Sequence, residues 1–445
     1  MRKLNECVLY QLFLRPFTPE GTLAGAKKML PHLKDVGVDI VYLCPVVYSD
    51  EDPREEYWSN RQRECGFHNP QNPYRLADYE KIDPEYGTDE DLREFVQAAH
   101  ALEMYVLLDL VYLHCGPTCR LLTERPELFK RDEQGNIATS SWRFPLFDLD
   151  KPETREYFKQ NMIYFVEKFD VDGYRCDCGG AFPVDLWREN IAALRAVKPG
   201  VIMLNEGIGN EQLEAGFDCD YGCFIPFDVE RMTLGEYWDE HEKAMKPGQM
   251  TAREFTEKLV RMAQSKPEGK LGALGVENHD IVNDAWYHRI EKLIGHEAMN
   301  CALAVCLLAK GYPFLYTGEE VADTTRHGLL VNRVYAPNCR VNWSNALTPA
   351  GQERLAFLRE LTALRHAHPA LCGGEMKVLA HSCEDKVMVF VRECPEEKLL
   401  VMISFSDEAQ SVRLEQPVEP GETLFARNAE GGRLEPFGIW VARLR

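Results

Sequence analysis

An α/β fold, a parallel (β/α)8 TIM barrel enlarged by insertions, is the class that the 445-residue sequence predicts. Short apolar, β-rich runs alternate with amphipathic helical stretches from residue 8 to about residue 370. The runs are nearly continuous in apolar character, as strands covered on both faces should be. Four of them end in, or run directly into, a carboxylate: Asp109, Asp177, Glu206 and Asp280. A doubly wound open sheet would alternate in a similar way.

The strand candidates, in order, are VLYQLFL (8–14), IVYLCPV (40–46), YVLLDLVY (105–112), VDGYRCD (171–177), VIMLNE (201–206), a weaker GFDCDYG (216–222), LGALGVENHD (271–280) and YPFLYTG (312–318). Leu23, Ala26, Leu30, Leu33 and Val36 recur at helical spacing before the stop at Gly37, with a kink or break expected at Pro31. Phe158, Met162, Phe165, Val166 and Phe169 form another apolar stripe, opened by Pro152. Residues 47–73 form a long polar loop in which Trp58 or Phe67 serves as a sugar platform or packs against the loop itself. From residue 371 the pattern changes to short runs, KVMVFVREC, KLLVMISF, QSVRLEQ and IWVARLR, that read as antiparallel strands. The expected division is a barrel over 1–114 and 148–370, a short inserted domain after the third strand over 115–147, and a C-terminal β-sandwich-like domain over 371–445.

Composition excludes several classes. The chain carries 51 basic against 71 acidic side chains, a formal charge of −20. With no basic excess to release counterions, no nucleic-acid partner is expected. No stretch approaches ~18 uninterrupted apolar residues, so no membrane span is expected. The start, MRKLNECVLYQLFLRPF, lacks the apolar core and cleavage site of a signal peptide. Fifteen cysteines without CxxC pairs suit a reducing cytosol, and a cytoplasmic location is expected. Cys115/Cys119, Cys176/Cys178 and Cys219/Cys223 lie close in sequence, but no histidines at zinc spacing accompany them; they read as structural thiols. No motif specifies an oligomeric state.

In a parallel barrel the C-terminal strand ends converge on one face, where active sites are built. Asp177, Glu206 and Asp280 would then share a pocket, with Arg175 on the same side of its strand as Asp177, and His114 and His279 at similar ends. Such a cluster suits glycosidic-bond cleavage, which needs one ionised carboxylate and one protonated carboxyl. A neighbouring arginine favours the ionised form, and crowding among acids raises the pKa of another. By this reasoning Asp177 is the nucleophile and Glu206 the acid. The alternatives are helix caps, structural ion pairs or a divalent-cation site.

These residues resemble the α-amylase family of glycoside hydrolases. Asp109-Leu-Val-Tyr-Leu-His114 is similar to its first conserved region, Gly173-Tyr-Arg-Cys-Asp177 to the second, Leu204-Asn-Glu206 to the third and Val276-Glu-Asn-His-Asp280 to the fourth. NPYRLADYEKIDPEYGT (72–88) and FPLFDLD (144–150) resemble two further segments, all in the family's order. The resemblance implies retaining hydrolysis of α-1,4-glucosidic bonds in malto-oligosaccharides or related α-glucans. It makes Asp177 the nucleophile, Glu206 the acid/base and Asp280 the holder of the ring hydroxyls. Arg175 would keep Asp177 ionised, His114 and His279 would donate to the bound sugar, Tyr74 would stack on it, and Asp109 would be structural at the site.

The chain departs from the family in places. Leu113 and Ala181 stand where calcium-bearing members have Asn and His, so no cofactor is expected and calcium at the usual site is doubtful. Gly180 replaces a lysine that many starch-cleaving members use, and Cys176 and Cys178 read as packing. The rivals are transglycosylation or phosphorolysis with the same acids, a non-catalytic carbohydrate-binding or interaction barrel, and a metal-dependent barrel hydrolase of another clan.

Overall fold

The structure, a computed structural model, describes residues 1–239, 241–285 and 289–445. Eight parallel strands close into a barrel: β1 (Leu9–Leu12), β2 (Ile40–Leu43), β3 (Tyr105–Leu110), β4 (Gly173–Cys176), β5 (Ile202–Asn205), β6 (Cys219–Phe224), β7 (Leu271–Gly275) and β8 (Tyr312–Tyr316). Each pairs with its sequence neighbours, and β8 returns to β1, so the closed barrel replaces the open-sheet alternative. Side chains alternate along each strand. Leu9, Ile40, Leu107, Ile202, Leu204 and Phe314 therefore point inward and plug the barrel. Two residues further along the same faces of β1 to β4 stand Gln11, Tyr42, Asp109 and Arg175, and the register sets Asp109 beside Arg175. The polar layer lies directly on the apolar plug.

Gly173 is required where it stands. Its φ is +153°, and a Cβ there would fall 1.9 Å from the Ile202 carbonyl oxygen, blocking the approach of β4 to β5. Helices cover the outside of the barrel. Asp89–Ala101 and Ala252–Gln264 both open on capping boxes, Thr88 with Asp91 and Thr251 with Glu254. Pro152 opens Pro152–Phe169. The stretch around Pro31 is two helices, Leu23–Lys27 and Leu30–Asp35, with the proline in the first turn of the second.

Between β3 and β4 the chain makes short antiparallel bridges, His114 with Leu146 and Thr139 with Pro145 among them. The C-terminal sheet is antiparallel: β9 (Glu375–Val378), β10 (Val387–Glu393), β11 (Lys398–Ser404), β12 (Gln410–Ser411), β13 (Pro420–Glu430) and β14 (Arg433–Leu444). It packs on the helix His296–Leu308, which is buried on every side from Ala298 onward. The Cys301 thiol there meets the carbonyls of Ser404 and Phe437. Among the described residues no helix is long and apolar enough to cross a membrane.

Candidate active site

Arg175 organises the C-terminal mouth of the barrel. It is fully buried on β4, and its Nη1 donates to Asp109 Oδ1 at 2.8 Å and to Asp177 Oδ1 at 2.9 Å. Its Nη2 lies 2.8 Å from Glu206 Oε1, and its Nε donates to the Tyr221 hydroxyl at 3.1 Å. The strands deliver these carboxylates: the Asp177 N–H bonds to the Leu110 carbonyl and the Glu206 N–H to the Cys176 carbonyl, carrying the sheet ladder to both residues. Cys178 takes a left-handed φ of 49°, and its N–H donates to Glu206 Oε2 at 2.6 Å. That strained backbone sits next to the proposed nucleophile.

Ligating atoms of Asp177, Cys178 and Glu206 all lie within 4.8 Å of one another. Among the described residues this is the one group placed to hold a metal ion. Its carboxylates, however, already take hydrogens from Arg175 and from Cys178 N–H, and a thiol is a poor partner for a hard cation. Cys178, expected to be packing, lines the cavity instead, whereas Cys176 is buried as expected.

Asp280, Tyr74, His114 and His279 line the same cavity of about 500 Å³ as Asp177 and Glu206. Asp109 lies beneath, accepting the hydroxyls of Tyr74 at 2.6 Å and of Tyr42. The Tyr74 ring stacks on His279, with centroids 5.1 Å apart and planes 4° from parallel. The hydrogen bonds of His279 fix its tautomer. Its backbone N–H donates to Gln11 Oε1, so the Gln11 amide nitrogen faces Nδ1 at 2.6 Å and donates to it. The ring hydrogen is then on Nε2, 3.3 Å from Asp280 Oδ2. His114 donates from Nε2 to the Tyr74 carbonyl at 2.9 Å, which leaves its buried Nδ1 without a partner. A neutral His114 therefore offers an acceptor rather than the donor expected of it.

Burial and the charge of Glu206 push the Asp177 carboxyl well above the ordinary aspartate range, against the pull of Arg175. Arg175, expected to keep Asp177 ionised, thus acts against burial and a neighbouring carboxylate. Burial raises Asp109 as well, again against Arg175. Burial opposes the charge of Arg175, but Asp109 and Glu206 outweigh it and hold the guanidinium ionised. Burial pushes His114 down to about 4, and burial together with Arg175 pushes His279 well down, so both rings are neutral.

Trp58 is buried, and its Nε1 donates to the Asp52 carbonyl; Phe67 packs against the core. Neither lines the cavity, so the loop-packing alternative holds for both. The exposed aromatic of the cavity is Trp142, 42% accessible, at the tip of the 140–144 turn with its centroid 5.5 Å from that of His114. Trp142, Gln11 and Arg61 had no place among the residues expected from the sequence. A glutamine inside the apolar run VLYQLFL was the one available signal.

The family model described as the alpha-amylase catalytic domain matches residues 11–134. The chain is 25% identical to the cyclomaltodextrinase of Geobacillus thermopakistaniensis over 417 residues, covering 88% of this chain and 63% of that protein. It is 23% identical to the maltogenic alpha-amylase of Bacillus acidopullulyticus over 420 residues, covering 87% and 63%. It thus spans about 63% of the length of these curated relatives. In structure it resembles a noncanonic maltogenic alpha-amylase from Thermotoga neapolitana, with a TM-score of 0.79 and 24% identity over 100% of this chain and 99% of that one. This likeness carries the fold.

Proposed function

We propose that the chain is a member of the α-amylase family, a retaining glycoside hydrolase acting on α-1,4-glucosidic bonds of malto-oligosaccharides or related α-glucans. One observation carries the reading. Carboxylate oxygens of Asp177 and Glu206 approach within 4.8 Å on either side of one guanidinium. Retaining enzymes hold their two carboxyls at about 5–5.5 Å, whereas inverting ones need about 6.5–9.5 Å to admit a water between them.

In the first step an Asp177 oxygen bonds to the anomeric carbon as the glycosidic C–O bond breaks, and Glu206 gives its proton to the departing oxygen. In the second, Glu206 takes a proton from water, whose oxygen bonds to the same carbon and releases Asp177. Asp280 accepts ring hydroxyls, His279 donates from Nε2, and His114 accepts at Nδ1. Tyr74, stacked on His279, forms the floor beneath the ring. The names of the relatives favour short or cyclic maltodextrins, and a cytoplasmic location fits the free cysteines.

Calcium at the family's usual position does not fit this chain. Leu113 is half-buried, Ala181 is exposed, and neither side chain has an oxygen to offer. Turnover is expected to survive chelation; inactivation reversed by calcium contradicts this.

The reading is tested with maltose to maltoheptaose and a cyclodextrin, following the configuration of the freed end by NMR. Products are expected to emerge first in the α-configuration, and Asp177→Asn and Glu206→Gln are each expected to lower kcat by about 10³-fold or more. A β-configured first product, or near-normal turnover in either variant, rejects the mechanism.

A further inference from the structure

Arg61 belongs to the polar loop between β2 and the helix Asp89–Ala101, in the short helix Asn60–Glu64 that Ser59 caps. The side chain reaches across the mouth to the segment that follows β7. Its Nε donates to Asp284 Oδ1 at 2.7 Å, its Nη2 to the His279 carbonyl at 2.8 Å, and its Nη1 to Asp280 Oδ1 at 3.3 Å.

The two carboxylates are held differently. Asp284 is fully buried and fixed from its other side, where Oδ2 accepts the Leu330 N–H at 2.6 Å. The backbone at Gly328 closes on the same pair: a Cβ there would stand 2.8 Å from Asp284 Cγ and 3.0 Å from Arg61 Nη2. Asp280 projects into the cavity with its side chain 52% exposed. Its backbone is set by Asn278, whose Oδ1 accepts the N–H groups of Asp280 and Ile281, but this does not settle the rotamer of its carboxylate. Among the described residues no other arginine or lysine forms an ion pair with Asp280. A planar guanidinium locked at one end by a buried carboxylate presents its remaining N–H in a fixed direction, and that direction is toward Asp280.

We infer that Arg61 is a positioning residue: anchored by Asp284, it aims the Asp280 carboxylate at the hydroxyls of the sugar ring, so that the 47–73 loop contributes to turnover without touching the reacting atoms. The inference rests on the proposed role of Asp280 in gripping that ring. Misaiming a group in the transition-state contact by about an ångström can cost on the order of 100-fold in rate. The alternative is that Arg61 merely staples three loops together, which would lower stability and affect every site residue alike.

A double-mutant cycle separates the two. Maltotriose turnover, KM and thermal midpoint are measured for Arg61→Gln, Arg61→Lys, Asp284→Asn and Asp280→Asn, and for Arg61→Gln combined with Asp280→Asn. Arg61→Gln is expected to lower kcat about 10- to 100-fold with a smaller change in KM, Arg61→Lys to recover part of the loss, and Asp284→Asn to follow Arg61→Gln. In the Asp280→Asn background, Arg61→Gln is expected to change kcat by less than about twofold, because the group it aims is gone. An equal loss in both backgrounds overturns the inference while leaving the site reading intact. A near-normal Asp280→Asn enzyme overturns both. Should Arg61→Gln fail to fold, the same cycle is read with Asp284→Asn.

Discussion

The Nη2 of Arg175 lies 2.8 Å from Oε1 of Glu206, although the same guanidinium also holds Asp109 and Asp177 through Nη1. One cation thus faces three carboxylates, two of them buried and the third, Glu206, 23% exposed. Full ionisation would leave two uncompensated negative charges there, which burial strongly disfavours. A proton shared within the cluster relieves the conflict, in keeping with an Asp177 carboxyl raised by burial.

The sign of that coupling can be measured. Glu206→Gln removes the charge that, after burial, does most to raise Asp177. With α-glucosyl fluoride, whose leaving group needs no proton, the rate on the acid side reports whether Asp177 is ionised. Activity falls as pH drops through the pKa of Asp177, and a raised pKa places that fall above the ordinary aspartate range. Taking away the neighbouring charge lowers the pKa, so the acid limb is expected to move to lower pH in the variant. A limb that stays in place or moves up contradicts the shared-proton account.

Trp142 offers a second test. An aromatic face held in the cavity favours the apolar face of a pyranose, and ring contacts of this kind are worth about 0.5–1.5 kcal/mol. Trp142→Ala is expected to raise KM for maltotetraose about 3- to 10-fold with little change in thermal midpoint, because the residue stands at an exposed turn. Trp142→Tyr should retain most of the affinity. A lowered midpoint with KM unchanged would mean that the indole packs rather than binds.

The carboxylates were legible in the sequence because strand ends are. Asp109, Asp177 and Glu206 each follow an apolar run short enough to be a barrel strand, so their place at one mouth follows from parallel closure. Orientation within loops was not legible. Trp58 and Trp142 both lie in polar stretches, and only tertiary packing buries the first and exposes the second. β13 escaped for another reason. Its residues, Pro420–Glu430, are mostly exposed and lack an apolar alternation; the strand exists because β14 offers it a partner. QSVRLEQ, which alternates well, forms a strand only at Gln410–Ser411.

Glu320, close to the barrel but outside the proposed chemistry, is expected to give the protein a pH-dependent stability. It is 1% exposed, accepts the Tyr10 hydroxyl at 2.8 Å, and is pushed by burial up to about 7 from its ordinary 4.5. A carboxyl raised on folding binds its proton more tightly in the native state. The associated stability is therefore fully present below about pH 4.5 and is lost as pH rises through about 7, a change on the order of 3 kcal/mol. Urea unfolding between pH 4.5 and 8 should show this decline on top of other titrations, and Glu320→Gln should flatten it. An equal slope in the variant would place the effect on another group.

The last prediction concerns a proton that Gln11 places. The His279 backbone N–H orients the Gln11 amide, and the amide in turn leaves Nδ1 no option but to accept. His279 should accordingly populate the Nε2–H tautomer at every pH above its depressed pKa, and its ¹⁵N shifts should show no titration near neutrality. Gln11→Glu puts an acceptor opposite Nδ1 and is expected to move the hydrogen there, withdrawing the donor from the cavity. The expected result is a shift of the ¹⁵N pattern to Nδ1–H and a fall in kcat of about 10²-fold, because a ring nitrogen that donated to the sugar can then only accept. If the wild-type ring carries its hydrogen on Nδ1, the Gln11–His279 bond runs the other way and His279 cannot be the donor proposed for it.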